Sequence, residues 1–198
     1  MHELNPAAPD DAQALLQEGQ QRLAAGDRAG AGAALLRARA HPATRLAAHN
    51  LIEQNGLDGA FATMFGLDCR IAPQDDIFHF FAGHPTSNNP LRDYLADGWR
   101  TLSELLLLLE RADRPLVKMD HVLEFASGHG RFTRHLAKAI GAERVAVSDV
   151  VADAVEFSCR AFGVQGFVSH AVPEQLAWPR RYDLVFVLSL FSHLPRGT

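Results

Sequence analysis

The stretch His121 to Ile140 (HVLEFASGHGRFTRHLAKAI) constrains this chain more than any other. Val122, Leu123 and Phe125 form a short apolar run of the kind that makes a buried parallel strand. An acid, Glu124, sits near its end, and the small-residue turn Ala126-Ser127-Gly128-His129-Gly130 follows. A helical pattern begins at once, with Phe132, Leu136 and Ile140 on one face. Strand, glycine turn and helix in succession bring a ligand against bare backbone N–H groups at a helix N-terminus. Nineteen residues beyond Gly130 stands Asp149, near the end of a second apolar strand that spans Arg144 to Val150. An acid at about that distance can accept hydrogen bonds from the two hydroxyls of a ribose.

Two kinds of nucleotide ligand fit such a geometry. A dinucleotide site takes three glycines as G-x-G-x-x-G, the third for close helix–strand packing. Here Gly128-x-Gly130 is followed by Phe132 and Thr133, so the third glycine is missing. Counted from Ala126, the turn reads small-x-Gly-x-Gly, with Glu124 ahead of it. That pattern resembles the first motif of the class I S-adenosylmethionine (SAM) methyltransferases, acid-x-Gly-x-Gly-x-Gly, with Ala126 in place of the first glycine. Alanine there costs little if φ is negative and more if φ is positive.

The resemblance continues in order along the chain. Arg144 to Asp149 is similar to the family's second strand with its ribose-binding acid, Gly166 to Val172 to the third, and Tyr182 to Leu190 to the fourth. The ending SLFSHLP resembles a Ser-x-x-Thr-His-Leu motif of some bacterial methyltransferases, with Ser192 replacing Thr, and their Gly-His-Gly-Arg is matched by Gly128 to Arg131.

The resemblance implies SAM as cofactor, and it implies roles for particular residues. Glu124 lies beneath the methionyl part, or else caps helix N–H groups. Ala126, Ser127, Gly128 and Gly130 form the turn that admits the methionyl backbone, or simply open the helix. Asp149 holds the ribose, or caps the next helix, and Val150 packs on adenine. His170 and Ala171 end the third strand where the family often has an acid for the adenine amino group, and Leu188 ends the fourth. His193 follows on the acceptor side as a candidate general base, the alternative being that it packs beside a capping Ser192. Arg131 and Arg134 either meet the methionyl carboxylate or form solvated surface, the simpler reading.

Charge and composition narrow the classes. A formal net charge of −4 and a pI of about 6.2, with only short basic groups, argue against a nucleic-acid partner. Two cysteines make no disulfide framework, and no Cys–His spacing suggests a metal site. No signal peptide and no membrane-length apolar run are visible, so a cytoplasmic protein off the membrane is expected.

Three segments are expected. Residues 1–64 read as helical, two helices about a Gly26-Asp27 turn and a third to Gln54, and resemble a tetratricopeptide repeat at Leu15, Gly19, Gly26, Asp27, Ala31, Leu35 and Ala38. Residues 65–115 read as a connecting region, with Ile77 to Phe81 as buried lid or core, and a long helix opened by Asn89-Pro90 that packs on the sheet; in the family it resembles, such a helix closes over the cofactor. Residues 116–198 read as the SAM-binding half of a class I domain, four parallel strands in the order 3-2-1-4. The family's sheet has seven strands, so the chain is expected to be truncated, leaving strand 182–190 as an exposed edge. That edge, or the N-terminal helices, would then serve a protein partner or a homo-oligomer. The function implied is methyl transfer to a small-molecule or sugar-containing acceptor. The alternative is a non-catalytic helical-repeat interaction protein with a partial methyltransferase-like domain.

Overall fold

A computed structural model describes residues 9–177 and 179–190. The chain divides into two compact units, residues 1–70 and 71–198.

The first unit is helical: α1 (Pro9–Ala24), α2 (Arg28–Ala40), α3 (Arg45–Gln54) and the short α4 (Ala60–Phe65). Asp27 starts α2 by accepting a hydrogen bond from the Gly30 N–H. Leu15, Leu16, Leu35, Ala38, Ala48 and Ile52 form its core. A Cβ on Gly19 would lie 2.6 Å from the Leu35 side chain, so the small residue permits the close approach of α1 and α2. Glu53 is buried, and its carboxylate accepts the Phe61 and Ala62 N–H groups at the start of α4, at 2.7 and 3.2 Å.

The second unit is an α/β layer structure with a Rossmann-like sheet. Its elements are α5 (Asp76–Gly83), α6 (Pro90–Arg111), β1 (Val122–Phe125), α7 (Thr133–Ile140), β2 (Val145–Asp149), α8 (Ala152–Phe162), β3 (Gln165–Val168) and β4 (Leu184–Val187). All strand pairs are parallel and the order is β3-β2-β1-β4, as the motif order implies. β1 is central because the chain steps outward through β2 and β3, then returns to the other side of β1 with β4. The switch point between β1 and β4 is where an open α/β sheet leaves a crevice for a ligand.

Alternation along the strands decides which residues meet the helices. Val122, Val145 and Val147 point into one apolar layer with Leu102 and Leu105 of α6, Phe132, Leu136 and Ile140 around α7, and Val155 of α8. Glu124 is two residues beyond Val122, so it falls on this same buried face. Asn89 caps α6 through the Arg92 N–H at 3.2 Å, and Pro90 occupies the first turn, where its missing donor costs nothing.

Three expectations are corrected here. Ile77 to Phe81 is not core: it lies on α5, with Ile77 and Phe80 exposed, the latter to 63%. Asp75 caps α5 through Phe78 N–H at 3.0 Å, and only Phe78 and Phe81 turn inward, edge-on to the Tyr94 ring. Second, α7 opens at Thr133 and not directly after the glycines, because positive φ at Gly128 and Gly130 keeps the chain out of the helix there. Third, β3 ends at Val168 and β4 covers only Leu184–Val187, both shorter than their apolar runs. Among the described residues β4 stands at the edge of the sheet, with Val185 exposed.

Gly98, in mid-α6, permits a close approach of that helix to the segment leading into α7. A Cβ there would overlap the backbone carbonyl of Arg131 and crowd the His135 ring. Gly98→Ala, normally favourable within a helix, should here destabilise the protein by roughly 1–3 kcal/mol through overpacking. Urea denaturation of the variant measures it, and a gain in stability would show that α6 does not press on the start of α7.

Candidate functional site

The residues after β1 and β2 enclose a cavity of about 750 Å³ at the carboxyl ends of the strands. Glu124, Ala126, Ser127, Gly128, Asp149 and Leu188 all line it. The remaining candidates fall elsewhere. Val150 is not in the lining and is 57% exposed; its neighbour Val151 lines the cavity instead. His170 and Ala171 lie beyond the end of β3, exposed and off the cavity, and the His170 Nδ1 accepts the Val172 N–H at 3.0 Å. Gly130 is also absent from the lining. His193 and Ser192 lie outside the described residues.

The two glycines of the turn have different physical reasons. Gly128 has φ +55 and open space where a Cβ would stand, so its surface is available to a ligand. Gly130 has φ +80, and a Cβ there would strike the Phe162 ring and approach Ser158 Oγ at 3.0 Å. The second glycine therefore lets α8 pack against the turn, in place of the ligand contact the sequence suggested. Ala126 has φ +58, the left-handed region in which a Cβ is strained. Ala126→Gly should accordingly stabilise the protein by about 1 kcal/mol. A thermal melt checks this, and an unchanged or lower midpoint would mean that the strain relieved does not exceed the unfolded-state entropy that glycine adds.

The turn is held by the neighbouring strand. The Gly128 N–H donates to Asp149 Oδ2 at 2.8 Å, and the Ser127 N–H to the Ser148 carbonyl at 3.2 Å. Asp149 Oδ1 accepts the Val151 N–H at 3.0 Å. One carboxylate thus fixes the end of β2, the glycine turn and the approach to α8, while standing at the cavity wall.

Glu124 is 4% exposed, and Thr133 Oγ1 donates to its Oε2 at 2.6 Å. Burial pushes its carboxyl up to about 8; the Thr133 hydrogen bond opposes this and the nearby Asp149 charge adds to it. A carboxyl whose folded pKa exceeds its unfolded value makes the native state bind the extra proton. Its contribution to stability is complete below about 4.5 and is lost as pH rises to about 8. Buried His135 runs the other way. Burial, and then Arg134, push its pKa down to about 4, so its contribution is lost as pH falls below 6.5. Between pH 6.5 and 8 only Glu124 of this pair acts. Stability of the wild type should fall across that window, and Glu124→Gln should remove most of the fall. Denaturant midpoints at pH 6.5, 7.2 and 8 test it, and equal slopes in both proteins would refute the buried-acid assignment.

Arg131 and Arg134 are not solvated surface. Arg134 is 2% exposed, with its guanidinium over the Tyr94 and Phe162 rings at 5.2 and 4.8 Å and its Nε donating to the Gly130 carbonyl at 3.0 Å. Arg131 lines the cavity and forms an ion pair with Asp97 of α6. Burial lowers its pKa, with Tyr94 and Asp75 acting against that shift.

One wall comes from α5 and α6; the resemblance placed the long helix there, and Gln74 to Asp76 and Tyr94 were not singled out in the sequence. Gln74, Asp75, Asp76 and Ile77, at the start of α5, and Tyr94 of α6 complete the cavity. The Tyr94 hydroxyl donates to Asp75 Oδ2 at 2.5 Å, and burial raises the Tyr94 pKa. The signal available was Asp75 ahead of the apolar run Ile77 to Phe81, a helix N-cap pattern.

No family model matches this chain. Among solved structures, it is similar to coclaurine N-methyltransferase bound to N-methylheliamine and SAH, at 18% identity and a TM-score of 0.39. The match covers 93% of this chain, which spans half the length of that protein. No described helix is long and apolar enough to cross a membrane.

Proposed function

We propose that this chain carries the cofactor-binding half of a SAM-dependent methyltransferase for a small-molecule or sugar-containing acceptor. The observation that carries the reading is the Asp149 carboxylate, tied to the Gly128 N–H at the wall of the strand-end cavity. An acid at that place in a 3-2-1-4 sheet suits ribose hydroxyls, and the open space over Gly128 suits a ligand lying against backbone. The donor set also fits. SAM carries a sulfonium and an ammonium, and the cavity offers the buried Glu124 carboxyl together with Asp75, Asp76, Asp149 and Asp153.

SAM, when bound, supplies the methyl group for an SN2 displacement. In this reading Asp149 holds the ribose and keeps the turn closed. Val151 and Leu188 give an apolar surface on either side of the turn. A cationic group beside Glu124 would favour its ionised form, the proton passing to solvent. The helix pair α5–α6 excludes water from the same side. His193, which follows β4 in sequence, is proposed as the base that takes the acceptor proton. The helices of residues 1–70 are proposed as tetratricopeptide-like, on the close α1–α2 contact at Gly19. Protein association is assigned to them or to the β4 edge, and a cytoplasmic location is part of the same proposal.

Isothermal titration with SAM and S-adenosylhomocysteine (SAH) tests the reading directly. Asp149→Asn keeps an acceptor for the Gly128 N–H, gives up the one for the Val151 N–H and removes the charge. It should weaken binding by about 1.5–3 kcal/mol, as the loss of a hydrogen bond to a charged group does. Unchanged affinity in a folded variant would remove the ribose assignment.

A further inference from the structure

Helix α6 is apolar on two sides. Leu91, Tyr94, Leu95, Leu102 and Leu105 are buried on one of them. On the other, Trp99 and Leu107 are exposed to 59% and 67%. A surface helix normally gives that side to polar residues. Single exposed apolar side chains are common, so spacing decides whether these two act together. An α-helix turns about 100° per residue, which puts Trp99 and Leu107 about 40° to either side of Ser103. Ala96, exposed and seven residues before Ser103, lies on the same line. The Ser103 hydroxyl donates to the Trp99 carbonyl at 3.0 Å, so its polar group is used within the helix and the middle of the stripe is small. Tyr94, nine residues before Ser103, points the opposite way and lines the cavity, so the stripe is clear of that site.

We propose that this outer face of α6 binds a second copy of the chain, the two α6 helices running antiparallel about a two-fold axis near Ser103.

The charges beside the stripe identify the occupant. Asp93, Arg100, Glu104 and Arg111 fall within an arc of about 40° on one flank of the helix, in the order minus, plus, minus, plus. Asp93 and Arg111 are each nine residues from position 102, and Arg100 and Glu104 are each two from it. In an isologous antiparallel pair the same flank of each helix meets itself, so residues equidistant from the centre face each other. Arg100 then faces Glu104 of the second copy, Asp93 faces Arg111, and the two-fold makes each pair twice. The apolar stripe has almost the same centre. Trp99 and Leu107 are each four residues from Ser103, so each Trp99 lies against Leu107 of the other copy. Charges and apolar side chains that share one centre make a face complementary to itself; an unrelated partner requires no such symmetry. The central charges are also free to re-pair. Arg100 and Glu104 are 72% and 69% exposed and 3.8 Å apart within one helix, and exposed pairs of this kind add little. Arg100 holds Asp97 at 3.0 Å as well, and its fork of five donors serves more than one carboxylate. Asp93 is the more engaged acid, with Arg92 and the Ser87 hydroxyl, so the central pairs carry more of the selectivity.

A two-helix contact lies at the small end of specific interfaces, so the dimer should be reversible and concentration-dependent. Sedimentation velocity of the whole chain should show a mass rising from 21.7 kDa toward twice that value between about 1 and about 300 μM. Leu107→Glu, at an exposed position outside the core, should weaken association at least about tenfold. Arg100→Glu makes the centre of the flank acidic and Glu104→Arg makes it basic, so each variant alone should also associate at least about tenfold more weakly. An equimolar mixture of those two variants restores opposite signs across the axis and should recover the dimer. Circular dichroism of each variant reports that its helices are intact. A monomer at every concentration would overturn the proposal. So would association that all three variants leave unchanged, which would put the contact on the helices of residues 1–70 or on the β4 edge. A mixture that associates no better than its two components would overturn the antiparallel pairing of the charges, and the choice of a second copy with it.

Discussion

The carboxylate of Asp149 joins three pieces of backbone. It takes the Gly128 N–H from the turn and the Val151 N–H from the approach to α8, and it belongs to β2. A glycine turn with positive φ at three of five positions costs conformational freedom to order. A charged acceptor for its amide offsets part of that cost, since hydrogen bonds to charged groups exceed neutral ones. The same bond aims the carboxylate along the cavity wall. Structural and ligand-binding roles therefore fall on one side chain, and the two roles set out for Asp149 at the start are not exclusive. Its other oxygen reaches the Val151 N–H, two residues on, in an Asx-type turn ahead of α8, whose N-cap Val151 has no side-chain cap.

Burial of Glu124 follows from the same frame. Strand alternation places it on the face of Val122, and its register partners Val147 and Phe186 lie in the apolar layer. An ionised carboxylate there would be expensive, so the group holds its proton and accepts one short hydrogen bond from Thr133. Thr133 opens α7, and its place is set by the turn that Asp149 closes. The acid that is costly to ionise and the acid that stays charged are thus coupled through a few residues of backbone. A cationic ligand would relieve the first without disturbing the second.

The sheet and the near half of the site were legible in the sequence; of the far half only the long helix α6 was. The strand–turn–helix run gave β1, α7 and β2 within three residues, because a parallel central strand is apolar on both faces and its ends are marked by glycine or acid. Glu124, Gly128 and Asp149 were readable because their spacing is fixed by that local geometry. The α5 wall was not, since it depends on a contact across many residues of chain, Tyr94 with Asp75, that no periodicity encodes. Arg131 and Arg134 misled for a related reason. Two arginines at helical spacing look solvated unless it is known that Tyr94 and Phe162 bracket one and that Asp97 meets the other. Gly130 read as ligand-facing because a motif cannot tell room for a ligand from room for a neighbouring helix. Val150 and His170 were placed by analogy with strands that extend further; here β2 and β3 stop at Asp149 and Val168.

Arg134 shows how the cavity's two walls are made to depend on each other. It belongs to α7 on the sheet side, yet its guanidinium spans the Tyr94 ring of α6 and the Phe162 ring of α8. Its Nε holds the carbonyl of Gly130, the residue whose missing Cβ admits Phe162. Tyr94 in turn holds Asp75, which starts α5. A chain of contacts therefore runs from α8 through the turn and Arg134 to the far wall, with no solvent-exposed link. Arg suits this place where Lys would not, because a flat guanidinium can face two aromatic rings and still donate in its own plane. The acids of the α5 wall are thereby fixed to the same turn that holds Glu124 and Asp149 in place. Segments far apart in sequence act as one rigid frame for whatever ligand enters between them.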